Sequence, residues 1–339
     1  MGLTVRYKRS VFSIFVLSLF TLLSLSNCGT MGFGSPIKIY TLHEIVDFNN
    51  LCMVFGDDKM FRVITSDFEM SAPIEISDST LSVINDVVKA QNHVFTVYNK
   101  GVASLSIESK HLGFEQLNDA SNLNSIACGD KSCLAVSYFG TIVYHNLKDS
   151  YKNWQQFTNS SIPLGIKKIL YYQDKYFIIT DSGELYSSAT DGKSWDKILI
   201  PSEGNSLNSI RILNGELYIT GDNGTLLSSS DTVRWVKYDS KMFLERNLED
   251  ITFGVKKFVL IGEHGLVFVS GWNKKFVELK QRITISNLTK VAFFNNRFIA
   301  VGYGGVIFIS KDAKKWHLLP IGAEYKLNIV CRSVNISKE

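Results

Sequence analysis

The sequence predicts an all-β fold: a seven-bladed β-propeller of four-stranded antiparallel blades, following an N-terminal signal peptide. Three observations predict it. One pattern recurs seven times across residues 42–322. Each copy breaks into short apolar runs rich in β-branched and aromatic residues, as strands prefer. The chain opens on basic residues followed by an apolar stretch. Composition permits such a fold. The 339 residues are 45% hydrophobic, 12% aromatic and 20% charged, with 24 Gly and 5 Pro, which excludes a disordered tail, a collagen-like repeat and a small disulfide scaffold. Length alone would suggest about two domains, a soft prior that an internal repeat overrides.

Taken in order, residues 1–27 read as a leader. Arg6, Lys8 and Arg9 supply a positive start, and Val11–Leu25 is an apolar stretch of 15 residues, short of the roughly 20 that a membrane helix needs. A signal peptide is the better reading. Leu25-Ser26-Asn27-Cys28 resembles a bacterial lipobox. That resemblance implies lipidation of Cys28, a lipid-anchored linker over 28–41, and, with Gly29 rather than Asp after the Cys, delivery to the outer membrane of a bacterial cell envelope. Ordinary signal cleavage near the same place is the alternative. Removing residues 1–27 takes three positive charges and no acids from a net charge of +4, leaving about +1. The basic balance therefore belongs to the leader, and no electrostatic footprint for nucleic acid is left. Lys-Lys pairs at 167–168, 256–257, 274–275 and 314–315 read as solvated turns.

The repeat begins at Leu42, Ile84, Leu123, Ile166, Leu207, Leu248 and Leu288. Three positions on stand Ile45, Val87, Ile126, Ile169, Ile210, Ile251 and Val291. Seventeen on, Gly occupies six of the seven copies, Lys59 being the exception. In the fifth copy four strands read as Leu207–Leu213, Glu216–Thr220, Thr225–Ser229 and Arg234–Tyr238, with Gly-Asp-Asn-Gly at 221–224 as a tight turn. One such sheet cannot cover both of its faces. Seven arranged radially cover one another, so the propeller spans residues 42–335. No stretch after residue 41 keeps a 3.6-residue apolar stripe, which excludes helical repeats.

A second signature follows the third strand. Ser229-x-Asp231-x-x-x-Trp235 and Ser310-x-Asp312-x-x-x-Trp316 share one spacing, and Ser188 to Trp195 is a related copy with Thr190 where the Asp is expected. These segments resemble the Asp-box, or bacterial neuraminidase (BNR) repeat. With the glycine turn, the chain resembles the Asp-box propellers of the photosystem II assembly-factor-like group. The resemblance implies structural turns, in which the Asp accepts backbone N–H bonds and the Trp packs between sheets, and a role in assembly. It specifies fold well and function poorly.

Five cysteines remain. If Cys28 carries lipid, four are left, an even number in an exported chain. Cys128 and Cys133 flank a hairpin that would bring them into bridging range. Residues 327–335 echo the start of a repeat without a blade of their own, so they read as a closing strand that returns to the first blade, with Cys331 bonded to Cys52. Four reduced thiols are the alternative.

No catalytic constellation stands out. A sialidase would need an arginine triad, but Arg211, Arg246, Arg282 and Arg297 do not occupy matching repeat positions. The six His show no metal-ligand spacing, and no cofactor motif is present. What is left is a binding face. The turns between strands two and three share one end of the propeller with the connections between blades, and they present Asp57, Lys100, Tyr138, Phe139, Asp181, Asp222, Glu263, His264 and Tyr303. The reading is a non-catalytic envelope lipoprotein that binds a protein or peptide through these loops. The alternative is a carbohydrate-active enzyme or glycan-binding lectin of the Asp-box type. In the loop 239–247, Met242, Phe243 and Leu244 form an apolar cluster that either packs inward or awaits a partner.

Overall fold

The computed structural model describes residues 45–48, 51–55, 60–64, 74–75, 84–91, 93–98, 101–106, 112–116, 122–150, 153–157, 162, 164–238, 241–303, 306–319 and 331–332. The leader, Cys28 and the linker lie outside them. The described chain is all-β, apart from short 3₁₀ turns at Lys241–Phe243 and Glu263–Gly265.

The first repeat forms β1 (Ile45–Phe48), β2 (Leu51–Phe55), β3 (Met60–Ile64) and β4 (Ile74–Glu75). Each later repeat forms one four-stranded antiparallel sheet. The second holds β5 (Ile84–Ala90), β6 (His93–Tyr98), β7 (Gly101–Ser106) and β8 (Leu112–Gln116). The third holds β9 (Leu123–Cys128), β10 (Ser132–Ser137), β11 (Ile142–Asn146) and β12 (Trp154–Phe157). The fourth holds β13 (Ile166–Tyr172), β14 (Lys175–Thr180), β15 (Leu185–Ser188) and β16 (Asp196–Ile198). The fifth holds β17 (Leu207–Leu213), β18 (Glu216–Gly221), β19 (Leu226–Ser229) and β20 (Val236–Lys237). The sixth holds β21 (Leu248–Gly254), β22 (Lys257–Gly262), β23 (Val267–Ser270) and β24 (Val277–Glu278). The seventh holds β25 (Leu288–Phe294), β26 (Arg297–Gly302), β27 (Ile307–Ser310) and β28 (His317–Leu318). Strand β29 (Cys331–Arg332) returns to the first repeat and lies parallel to β1, Ile45 facing Cys331.

Local chemistry explains the hairpins. Between first and second strands the chain turns on two residues of positive φ, as at Asn214-Gly215, Gln173-Asp174 and Asn295-Asn296. Such pairs match the right-handed twist of the flanking strands, and Asn, Asp and Gly tolerate that conformation at least cost. The first strands stand side by side: β5 lies against β9, β9 against β13, and so on to β25, with β1 against β5 and β25 against β29. The core lies between sheets rather than at one centre. Tyr218 and Leu226 of the fifth repeat pack with Ile251, Phe258 and Phe268 of the sixth. Val259 and Ile261 of the sixth pack with Val291, Phe298 and Phe308 of the seventh. This is the radial arrangement of a β-propeller.

Polar side chains lock neighbouring first strands together. In the second to seventh repeats the register slips after the starting residue, so the next residue is an unpaired bulge. The bulge frees that side chain to cross to the next sheet. Asn85 Nδ2 donates to the Leu123 carbonyl (2.6 Å), Asn124 Nδ2 to that of Ile166 (2.7 Å) and Asn208 Nδ2 to that of Leu248 (3.2 Å). The residue after the bulge is polar. The buried Asp86 carboxylate accepts from Ser125 Oγ (2.5 Å), from the Ile126 N–H (2.9 Å) and from Lys168 Nζ (3.1 Å). Lys168, expected in a solvated turn, is therefore a buried strand residue held by an acid two sheets away. Ser125 Oγ in turn accepts the Ile169 N–H (3.1 Å). Asp250 accepts from Ser209 Oγ (2.7 Å), from Arg211 Nε and Nη2 (2.9 and 2.7 Å) and from the Val291 N–H (3.1 Å). Every oxygen of this buried carboxylate is thus partnered, which is the condition for holding a charge out of water.

The turns after the third strands are closed by side-chain acceptors. Asp231 Oδ1 accepts the N–H groups of Val233 (3.0 Å) and Arg234 (2.7 Å), and Asp312 Oδ1 those of Lys314 and Lys315 (both 2.8 Å). In the fourth repeat Thr190 Oγ1 takes the same role, accepting the Ser194 N–H at 2.9 Å. The indoles of Trp195 and Trp316 donate back to the carbonyls of Gly192 and Ala313.

Candidate binding face

The turns after the second strands are tied to the connection that leads into each sheet. The Asp222 N–H donates to the Ser206 carbonyl (2.8 Å), that of Glu263 to Asn247 (3.3 Å) and that of Tyr303 to Asn287 (3.0 Å). In the fourth repeat the Asp181 N–H donates to the Gly165 carbonyl (2.9 Å), while the Gly165 N–H reaches back to the Tyr138 carbonyl (2.7 Å). Gly165 sits at φ +81°, and a side chain there would collide with the Asp181 carboxylate. The loops of this end are therefore held by backbone bonds.

Tyr138, Phe139 and Asp181 are brought together directly. The Tyr138 hydroxyl donates to Asp181 Oδ2 from one repeat to the next, and the Tyr138 and Phe139 rings meet edge to face at 5.5 Å. The hydrogen bond to Asp181, and then that residue's charge, raise the Tyr138 hydroxyl above its ordinary value. Phe139 is 60% exposed and Tyr303 47%. Asp222, Glu263 and Tyr303 occupy the corresponding position of the fifth, sixth and seventh sheets. Asp222 Oδ1 accepts Asn208 Nδ2 at 2.8 Å. His264 stands at φ +50° in the short turn Glu263–Gly265; its N–H donates to Asn287 Oδ1 (2.9 Å), and its carbonyl accepts from Arg282 (3.0 Å). Asp57 and Lys100 lie outside the described residues.

Of the apolar cluster at 242–244, Phe243 packs inward against Phe268 and Phe276, whereas Met242 and Leu244 stay exposed. Cys128 and Cys133 face each other across β9 and β10 and form a disulfide with Cα atoms 4.0 Å apart. Cys52 and Cys331 are not on neighbouring strands: β1 runs between them in the order β29-β1-β2. The side chains of Cys52 and Cys331 lie outside the described residues. Among the described residues no cluster of three His, Cys, Asp or Glu side chains converges as for a metal ion.

Apolar periodicity passes over the polar belt behind this face. Its signal was present: two residues after each repeat start stand Glu44, Asp86, Ser125, Lys168, Ser209, Asp250 and Lys290, with no apolar side chain among them. Beside the belt, burial raises the Glu249 carboxyl above its ordinary value against the pull of Lys290 and Lys167, and the charges of Asp222 and Asp250 add to the rise.

A β-propeller family, described as the DUF6242 β-propeller domain, matches residues 168–277. That match covers under half of the chain. No curated protein matches it in sequence. Solved structures share the fold. Virginiamycin B lyase from Staphylococcus aureus, in a catalytically inactive form with quinupristin, is 11% identical with a TM-score of 0.64, over 83% of this chain and 95% of that one. YCF48 bound to a D1 peptide is 15% identical with a TM-score of 0.63, over 81% and 94%. YCF48 from Cyanidioschyzon merolae is 17% identical with a TM-score of 0.58, over 74% and 90%. The chain therefore has a β-propeller fold; at these identities the likeness speaks to fold alone.

Proposed function

We propose that this chain is a seven-bladed Asp-box propeller that serves as a non-catalytic, protein- or peptide-binding scaffold, anchored by a lipid on Cys28 at a bacterial envelope, most simply at the outer membrane. The observation that carries the binding reading is the pair Tyr138 and Phe139, exposed and braced by Asp181 on a face whose backbone is already tied. Exposed aromatics on a rigid frame lose little freedom on binding, and their polar rims can orient a peptide. YCF48, similar in fold, is the kind of propeller that holds a peptide in its solved structure. The blade count rests on seven repeats and on first strands that follow one another from β1 to β25, with β29 between β25 and β1.

Photo-crosslinking from position 139 in the native cell tests the binding reading. One envelope protein should be captured, and Tyr138→Ala or Tyr303→Ala should abolish its capture while the melting temperature stays unchanged. Capture that ignores these substitutions overturns the reading. Turnover of a glycoside library that disappears with Asp222→Asn would establish the carbohydrate-active alternative instead. Cys28→Ala should release the protein from the membrane fraction in a high-salt wash without unfolding it; retention that survives that wash unaltered defeats the lipid anchor.

A further inference from the structure

The end of the molecule opposite the binding face is built from the turns between first and second strands and between third and fourth. Across the sixth and seventh repeats three of these four turns, residues 255–257, 271–275 and 311–315, hold seven lysines against one aspartate; of the seven, Lys274 is paired with Glu216 of the fifth repeat at 2.6 Å. Lysine pairs that are far apart in sequence meet here. Lys257 Nζ donates to the Asp312 carbonyl at 2.7 Å, which seats the hairpin of one repeat on the turn of the next. The lone Asp312 is engaged by its own turn, its Oδ1 accepting the N–H groups of Lys314 and Lys315 and the Ser310 hydroxyl. Asp312 is half-buried, while Lys256, Lys311, Lys314 and Lys315 are exposed.

The same patch exposes apolar side chains. Trp272 is 52% exposed, with its ring 4.8 Å from Phe253 at the base of the hairpin. Val255, at the hairpin tip, is 47% exposed and held at φ +40°. A β-branched residue is costly there, and the equivalent turns of the fifth and seventh repeats use Asn214 and Asn295 instead.

We propose that this face docks on an anionic bilayer surface, with the lysines at the headgroups and Trp272 and Val255 entering the interface. Lysines near an anionic leaflet each contribute to binding, and Trp favours the headgroup region. An anionic polymer would satisfy the lysines but would gain nothing from Val255. The proposal does not depend on the binding face at the other end.

The test uses the full chain carrying Cys28→Ala, so that no acyl chain contributes, with vesicles of phosphatidylcholine alone or with phosphatidylglycerol added. The leader is common to every variant, so differences between variants report the face alone. Binding should require phosphatidylglycerol and weaken with salt. The combined Lys256→Gln, Lys314→Gln and Lys315→Gln variant should lower the partition coefficient about a hundredfold, about fivefold per lysine. Lys148→Gln with Lys193→Gln, on other repeats, should leave it unchanged. Trp fluorescence should shift to the blue on binding, and Trp272→Phe should remove that shift. Equal partitioning of all variants, or binding of heparin with none of anionic vesicles, overturns the proposal.

Discussion

Asp250 has no exposed surface, and burial alone would raise its carboxyl. Arg211 and Lys290, with the bonds from Arg211 and Ser209, win instead and hold it down at about 2. A folded-state value below the ordinary one, about 3.9, means that Asp250 stabilises the fold fully above that ordinary value. The contribution is lost as pH falls from there through about 2. Acid titration of stability should therefore show a loss in that window that Asp250→Asn lacks. Asp250→Ala should cost about 3–5 kcal/mol in chemical denaturation, because it removes the carboxylate that faces the buried Arg211, 8% exposed. Adding Arg211→Met should recover part of the loss; a double variant no better than the single would show that the pair is not what the site stabilises. Reading the sequence for apolar periodicity could not reveal this pair, since Asp250 and Arg211 lie 39 residues apart and belong to different columns of the repeat. The exposed Tyr138 and Phe139 were legible for the opposite reason: a turn position fixed by the neighbouring glycine column leaves its side chain outside.

At the scale of elements, the hairpin of β9 and β10 carries a covalent clasp. Cys128 and Cys133 are five residues apart and directly paired, so their bond was legible from a tight turn between two apolar runs. Closing so short a loop contributes about 2 kcal/mol in the chain-entropy account. Reduction, or Cys128→Ser with Cys133→Ser, should lower the melting temperature by a few degrees while leaving the far-ultraviolet spectrum intact; an unchanged melting point would mean that the hairpin is held by packing alone. The strand order that separates Cys52 from Cys331 was not legible, because it is settled by tertiary contacts, and β29 takes the far side of β1. The turn at Asp312 is a comparable clasp without a covalent bond. Asp312→Ala leaves two backbone N–H groups without their acceptor, and the expected cost is about 1–2 kcal/mol by analogy with the loss of a helix cap. Thr190, which does the same work in the fourth repeat with a hydroxyl, explains why the expected Asp can be missing there without loss of the turn.

On the scale of the whole molecule, each sheet covers its neighbours, and a chain of such units is stabilised by nearest-neighbour interfaces. An open row of sheets has two bare ends. Here β29, drawn from beyond the last sheet, lies against β25 and pairs with β1, so the end of the chain joins its beginning. The repeat made this visible in outline, since residues 327–335 copy the start of a blade; what it could not give was the parallel placement beside β1 rather than in place of it. If this strand closes the ring, deleting residues 324–339 should do more than remove a short edge. The first and last sheets would lose their shared neighbour, and calorimetry should record a lower melting temperature together with a broader transition, or a separate early one from the terminal sheets. The fourth, fifth and sixth repeats should keep their protection against hydrogen exchange, because their interfaces on both sides are untouched. A truncated chain that melts as one sharp transition at the original temperature would mean that the sheets associate without the returning strand.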